Sequence, residues 1–289
     1  MSQKIRKAVI PVAGYGTRFL PATKAQPKEM LPVIDKPIIQ YVIEEAVASG
    51  IEDIIIVTSP NKRTIEDHFD NLPDLELWLE KNGKQEQLEK LRKISKLANF
   101  IYIRQKGPYG NGTPILNARR IIGDEPFAVL WGDDIMIGLK PGLKQLVEVY
   151  EKYQGPVLAA LTVDDSGTNK YAILDTQTIE NDIYQVKSIV EKPGPAKAPS
   201  HLGQAHGYLL TPDIFDILAH TPLGKNNELW LVDAISQLIQ KRPVYARKIE
   251  GTYYDTGSKL GWLQANIALG LEHPELKEDL KQFLLSKLK

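Results

Sequence analysis

Apolar residues fall in short, nearly continuous runs, separated by stretches in which they recur three or four positions apart. The runs cover residues 8–13, 53–57, 100–103, 127–131 and 157–161. Runs of this kind predict strands buried on both faces, as in a parallel sheet covered by helices. Helical spacing predicts amphipathic helices at 38–49 and 114–122, each followed by a glycine, Gly50 and Gly123. Glycine tolerates the left-handed conformation that closes a helix. The alternation predicts an α/β doubly wound fold with a mixed, mostly parallel sheet flanked by helices.

The pattern changes twice. Residues 73–98 set Leu75, Leu77, Leu79, Leu88, Leu91, Ile94 and Leu97 among many charges. They predict a helical hairpin broken at Asn82 and Gly83, inserted on the surface. From about residue 170 the apolar runs shorten, to 171–174, 186–190, 208–210 and 244–249. Thr211-Pro212 predicts a helix start, with a capping hydroxyl and proline in the first turn. A last amphipathic helix is expected from Pro274 to the end. Pro193 to Pro199 is a loop too short to link domains, and no internal repeat occurs. The organisation expected is one domain over 1–289, with a helical insertion at about 73–98 and a C-terminal helical segment at about 259–289.

Composition narrows the function. A chain of 289 residues buries roughly three quarters of its unfolded surface without staples. It has no cysteine, so disulfides, thiolate metal sites and a cysteine nucleophile are excluded. Lys+Arg and Asp+Glu both number 36, a balance that argues against binding nucleic acid or anionic membrane. The five histidines form no H-E-x-x-H pair, which argues against a zinc enzyme. The first apolar run breaks at Pro11 and Gly14, too short for a signal peptide. No run reaches the ~18 apolar residues of a membrane span. A cytoplasmic protein is expected.

The first strand runs into Gly14-Tyr15-Gly16-Thr17-Arg18. A dinucleotide fingerprint needs a third glycine where Phe19 stands, and a Walker loop needs a Gly-Lys-Ser/Thr that is absent. What remains is a glycine loop followed by Arg18, Lys24 and Lys28. It is either a triphosphate site, which uses both the Arg fork and the Lys point charge, or a turn with solvated cations. Asp133 and Asp134 follow the run 127–131. Adjacent carboxylates at a strand end suit a hard cation or a solvated turn, and alternation turns one of them to each side. Glu191-Lys192-Pro193 ends the strand at 186–190. Asp255-Thr256-Gly257 follows another short strand and is also a good helix-capping sequence.

The 24 residues from Gly14 to Pro37 resemble the signature of the sugar-1-phosphate nucleotidyltransferases, in detail that of their bacterial uridylyl-transferring members. The similarity continues through residues 35–41, 65–69, 103–105, 123–126, 132–134, 191–193 and 259–262, covering most of the chain. The resemblance implies a Rossmann-like nucleotidyltransferase fold, Mg²⁺ dependence and a reversible sequential mechanism. It implies that Ala13 and Gly14 hold the nucleotide by backbone groups, and that Glu29, Gln105 and Gly110 line the base pocket. Arg18 and Lys28 would contact the triphosphate. Asp133, with Asp255, would hold the metal. Glu191 would accept from sugar hydroxyls, and Lys192 would meet the sugar phosphate. Arg18, Lys28 and Lys192 are the expected catalytic cations.

The implied reaction makes UDP-glucose and pyrophosphate from UTP and glucose 1-phosphate. Alternatives are thymidylyl transfer, another sugar 1-phosphate, or a catalytically silent regulator that binds nucleotide sugar. A homo-oligomer, dimer or tetramer, is expected. The chain departs from the pattern at four places. Thr113 replaces histidine, Ala172 replaces glycine, His206-Gly207 replaces Gly-Arg, and Trp230 replaces glutamine. The first lies in the nucleotide loop and the others surround the sugar pocket.

Overall fold

A computed structural model describes residues 3–287. In chain order its strands are β1 (Lys7–Pro11), β2 (Pro32–Val33), β3 (Lys36–Pro37), β4 (Asp53–Thr58), β5 (Asn99–Arg104), β6 (Phe127–Leu130), β7 (Asp134–Ile137), β8 (Val157–Thr162), β9 (Ala172–Glu180), β10 (Ile183–Glu191), β11 (Leu202–Leu210), β12 (Tyr245–Lys248) and β13 (Thr252–Asp255). Nine of them form one sheet in the order β5-β4-β1-β6-β11-β8-β12-β10-β9. The pairs β5·β4, β4·β1, β1·β6 and β8·β12 are parallel. Only β11 and β10 run against the rest. The sheet is therefore mixed, with seven of its nine strands in one direction, as the apolar runs predicted.

Successive residues of each central strand feed opposite cores. Val9, Ile55, Val57, Phe127 and Val129 face one core, while Ala8, Ile10, Ile54, Ile56 and Leu130 face the other. Helices α1 (Ile38–Ala48), α2 (Arg63–Phe69), α3 (Pro73–Lys81) and α4 (Gln85–Ser95) precede β5. The turn between α3 and α4 falls at Asn82 and Gly83, as expected. The helix expected at 114–122 is broken at Ala118 into α5 (Gly112–Asn117) and α6 (Arg119–Ile122). Next come α7 (Gly142–Tyr153), α8 (Asp213–His220), α9 (Leu231–Ile239), α10 (Lys259–Glu272) and α11 (Lys277–Lys287). The Thr211 hydroxyl bonds the Asp213 carboxylate rather than capping α8. The last helix begins at Lys277 rather than Pro274, and its expected final two residues lie outside the described ones. Among the described residues, no helix is long and apolar enough to cross a membrane.

Strand β11 forks. One side pairs with β8 at Leu202–Gln204 and again at Tyr208 and Leu209, with an irregularity between. The other side pairs with β6 at Gly207–Leu210 and with β9 at Gly203 and Gln204. Strand β9 continues through β10 and β12 back to β8, so β11, β8, β12, β10 and β9 close into a ring. At the fork His206 takes the left-handed conformation, φ 71°, which costs a non-glycine residue ~1–2 kcal/mol. An anchor offsets that cost. His206 Nε2 lies 2.8 Å from Glu45 Oε1, which also accepts the Leu143 backbone N–H at 2.8 Å. Both side chains are buried.

Burial pushes the His206 pKa down, but the Glu45 charge and hydrogen bond push it up further, to a net rise. A raised folded-state value stabilises the protein fully below the unfolded pKa of ~6.5, and that stability is lost as pH rises through the folded value. His206→Gln is therefore expected to destabilise the protein by ~1–3 kcal/mol at pH 5.5 and by less at pH 9. Denaturant titrations of both proteins at the two pH values check this, and a pH-independent difference would contradict it.

Candidate active site

Two cavities meet beyond the carboxyl ends of β1, β6 and β5. One, of about 520 Å³, is lined by Ala13, Gly14, Glu29, Gln105, Gly110 and Trp131 among others. The second, of about 310 Å³, is lined by Arg18, Ala172, Glu191, Lys192, Trp230 and Asp255 among others. Lys28, Asn111, Trp131 and Asp133 border both. Every site residue expected from the sequence thus lies on one of two adjoining chambers. A third cavity, of about 960 Å³, continues past Gly14 and Gln105 towards Lys24 and Arg63.

The first chamber is built from two loops. A Cβ at Gly14 would meet no protein atom, so its backbone is open to a ligand. Opposite stands Gly110 at φ 118°, where a Cβ would lie 2.2 Å from Leu229 O. Leu229 N donates to Tyr109 O at 2.8 Å, and Gly112 N donates to Leu229 O at 2.9 Å. The Thr113 hydroxyl donates to Pro108 O at 2.7 Å. The departure at Thr113 is therefore a buried tie within the loop over residues 107–113. Glu29 lines this chamber, and its carboxylate forms a buried ion pair with Lys62 at 2.8 Å. Burial pushes the Glu29 carboxyl up despite the Lys62 and Lys28 charges. Lys62 escaped the sequence reading. It lies only four residues beyond the end of β4, and that position was its one signal.

At the junction Lys28 Nζ pairs with Asp133 Oδ2. Burial pushes the Asp133 carboxyl up, but the Lys28 charge and hydrogen bond, helped by Arg18 and Lys62, hold it below its ordinary value. Asp255 sits opposite Asp134 in the β7·β13 pairing. Burial and the Asp133 charge raise its carboxyl pKa. A Cβ at Gly257 would lie 2.1 Å from Asp133 Oδ2 and 3.0 Å from Arg18 Nη2. Gly257, which the sequence reading gave no role, is thus the gap through which Asp133 and Arg18 approach. Asp134 turns to the other side, into the second chamber. Burial and the Asp133 charge hold its carboxyl well above the ordinary range.

Glu191 and Lys192 reach the second chamber from an antiparallel strand. The carboxyl-end rule for parallel strands does not place them, because β10 runs against those strands. Ring closure does: Glu191 pairs with Ala172, and Ala172 pairs with Gln204 beside the fork. The fork opens the sheet between β6 and β9, and the second chamber fills the opening. Tyr208 and Gln204, joined hydroxyl to amide, line it.

Residues 7–270 match the family model described as nucleotidyl transferase. The chain belongs to the nucleotidyl transferase family. It is 49% identical over 289 residues to UTP–glucose-1-phosphate uridylyltransferase YngB of Bacillus subtilis (strain 168), covering 100% of this chain and 97% of that one. The solved UDP-glucose pyrophosphorylase complexed with UDP-glucose is 41% identical, with a TM-score of 0.86, covering 93% of this chain and 100% of that one. A UTP-bound pyrophosphorylase from Acinetobacter baumannii is 39% identical, with a TM-score of 0.88, covering 98% and 99%. For a nucleotidyl transferase built this way, Gly110→Ala is expected to force the nucleotide loop off Leu229. The Michaelis constant for the nucleoside triphosphate should then rise by about tenfold or more. Steady-state kinetics with the triphosphate varied checks it, and an unchanged constant would contradict the loop's role.

Proposed function

We propose that the protein makes UDP-glucose and pyrophosphate from UTP and glucose 1-phosphate. The observation that carries this reading is the junction of the two chambers at Lys28 and Asp133, with Arg18 beside them. One chamber suits a nucleoside and the other a hexose, and a reacting phosphate belongs between them. The Gln105 side chain offers a donor and an acceptor to a uracil edge. Glu191 accepts from sugar hydroxyls, and Lys192 holds the sugar phosphate. A phosphate oxygen of glucose 1-phosphate attacks the α-phosphorus in line, and the bond to the β-phosphate oxygen breaks. The attacking oxygen is already ionised, so no protein nucleophile or base is needed. Arg18, Lys28 and Lys192 orient the phosphates and offset the charge that builds up.

The junction also fits Mg²⁺. Asp133 and Asp255 form an all-oxygen donor pair, and Asp133's charge already raises the Asp255 pKa, a repulsion that a divalent cation relieves. No group of three His, Cys, Asp or Glu ligands occurs among the described residues. Mg²⁺ asks for fewer, since it binds through one or two carboxylates plus phosphates and water. When bound, it supplies charge neutralisation at the phosphates. We read residues 1–289 as one catalytic unit acting in the cytoplasm, as a dimer or tetramer. Exposed Leu260 and Leu263 on α10 and Phe283 and Leu285 on α11 offer the apolar contact. Light scattering checks the assembly, and a monomer would reject it.

Pyrophosphate release over a grid of nucleoside triphosphates and sugar 1-phosphates tests the reaction. UTP with glucose 1-phosphate should lead the grid. A lead by dTTP or by another sugar would overturn that half of the reading, and no release from any pair would overturn both.

A further inference from the structure

We infer that Trp230 is a specificity-determining residue of this chain, an aromatic platform against which the hexose ring of the sugar 1-phosphate lies. The inference rests on the reading above and deepens it. Trp230 lines the second chamber, only half-buried. Its ring is fixed from three directions. The indole Nε1 donates to Lys225 O at 3.3 Å. One edge packs on Gly224, where a Cβ would lie 2.9 Å from Trp230 Cδ1. Its backbone opens α9 between two tethered neighbours: Leu229 is bonded to the nucleotide loop, and Leu231 N donates to Asn111 Oδ1 at 2.8 Å.

The ring face is turned to Lys192, whose ammonium lies 6.0 Å from the centroid. Lys192 is the residue assigned to the sugar phosphate. A hexose whose phosphate meets Lys192 therefore has its ring beside the indole. The negative face of an indole attracts positive groups. The C–H bonds on a pyranose face, polarised by the neighbouring oxygens, supply them. The ordinary polar contacts of Glu191 fix the hydroxyls, while the indole would favour sugars that present a flat C–H face. An axial hydroxyl on that face would lift the ring off the indole.

Trp230→Ala, Trp230→Phe and the unaltered enzyme are compared in steady-state kinetics. Loss of the platform is expected to raise the Michaelis constant for glucose 1-phosphate by ~3–10-fold, with that for UTP within about twofold. Trp230→Phe should recover most of the loss. Equal rises in both constants would mean that the residue only braces the nucleotide loop, and would overturn the inference. So would unchanged constants in Trp230→Ala. Should Trp230→Ala not fold, tryptophan fluorescence decides. UDP-glucose should quench the unaltered protein more than UDP does, and Trp230→Phe should abolish the difference. An equal quench by the two ligands would overturn the inference. Failure of the underlying reaction looks different, since the unaltered enzyme would then make no UDP-glucose.

Discussion

Asp133→Asn is expected to lower turnover by about a thousandfold while leaving the protein folded. The amide keeps the size and polarity of the side chain, and the Asp133 carbonyl keeps its bond from the Thr256 hydroxyl at 2.7 Å. What disappears is the charge that Lys28 and Arg18 face and that the proposed Mg²⁺ would use. The Asp255 carboxyl, now raised by the Asp133 charge, should ionise more readily in the variant. One carboxylate would then remain for a hard cation, so the Mg²⁺ concentration for half-maximal rate should rise. Turnover across a Mg²⁺ series, with a thermal melt of each protein, separates lost chemistry from lost folding. Near-normal turnover at ordinary Mg²⁺ would sink the metal assignment.

Arg18→Ala should cost about a hundredfold in kcat and little in the Michaelis constants, if its guanidinium acts, as proposed, on charge that develops during transfer. Lys192→Ala should behave differently. Its ammonium lies in the second chamber beside Glu191 and the Trp230 ring, so its loss should raise the constant for glucose 1-phosphate more than that for UTP. The contrast is informative because both changes remove one positive charge from the same cleft. A general electrostatic role would make the two variants alike. Kinetics with each substrate varied in turn distinguishes the cases, and two variants that shifted only the UTP constant would refute the placement of Lys192.

The parallel half of the fold was legible because β1, β4 and β6 are buried on both faces, with only the edge strand β5 partly covered. Ile54 to Val57 are fully covered, and a short β-branched run of four apolar residues fits a strand covered on both faces. The ring was less legible. Beyond Leu174, β9 is largely exposed, so its polar residues read as loop. In β11 the strand is buried throughout, yet Gly203, Gln204, His206 and Gly207 interrupt the apolar pattern. Those residues serve the fork and the chamber rather than the core. In the site, residues inside the 24-residue signature were readable one by one. Lys62, Tyr208 and Gln204 were not, since an isolated Lys after a strand or a Tyr–Gln pair four residues apart has no local signature. Gly257 was visible only as part of a capping sequence. Its role depends on Asp133, more than a hundred residues away.

The fork in β11 also makes part of the chain transplantable. The segment leaving β8 and returning to β11 begins and ends at two residues that bond each other, Val163 N to His201 O at 2.9 Å. The stretch between those points, including Tyr171, Ala172, Glu191 and Lys192, leaves and re-enters the sheet at one place, and its other ties include the β10·β12 pairs, the β9·β11 pairs and the Val186 N bond to Val244 O. Exchanging this stretch with that of a relative would graft a new sugar-facing wall. Arg18, Lys28, Gln105 and Asp133 would stay on the recipient's own strands and loops. A breeder of new nucleotide-sugar enzymes could vary the acceptor as a cassette, with the wall residues outside the segment, Gln204, Tyr208, Trp230, Val232 and Tyr253, to be matched by hand.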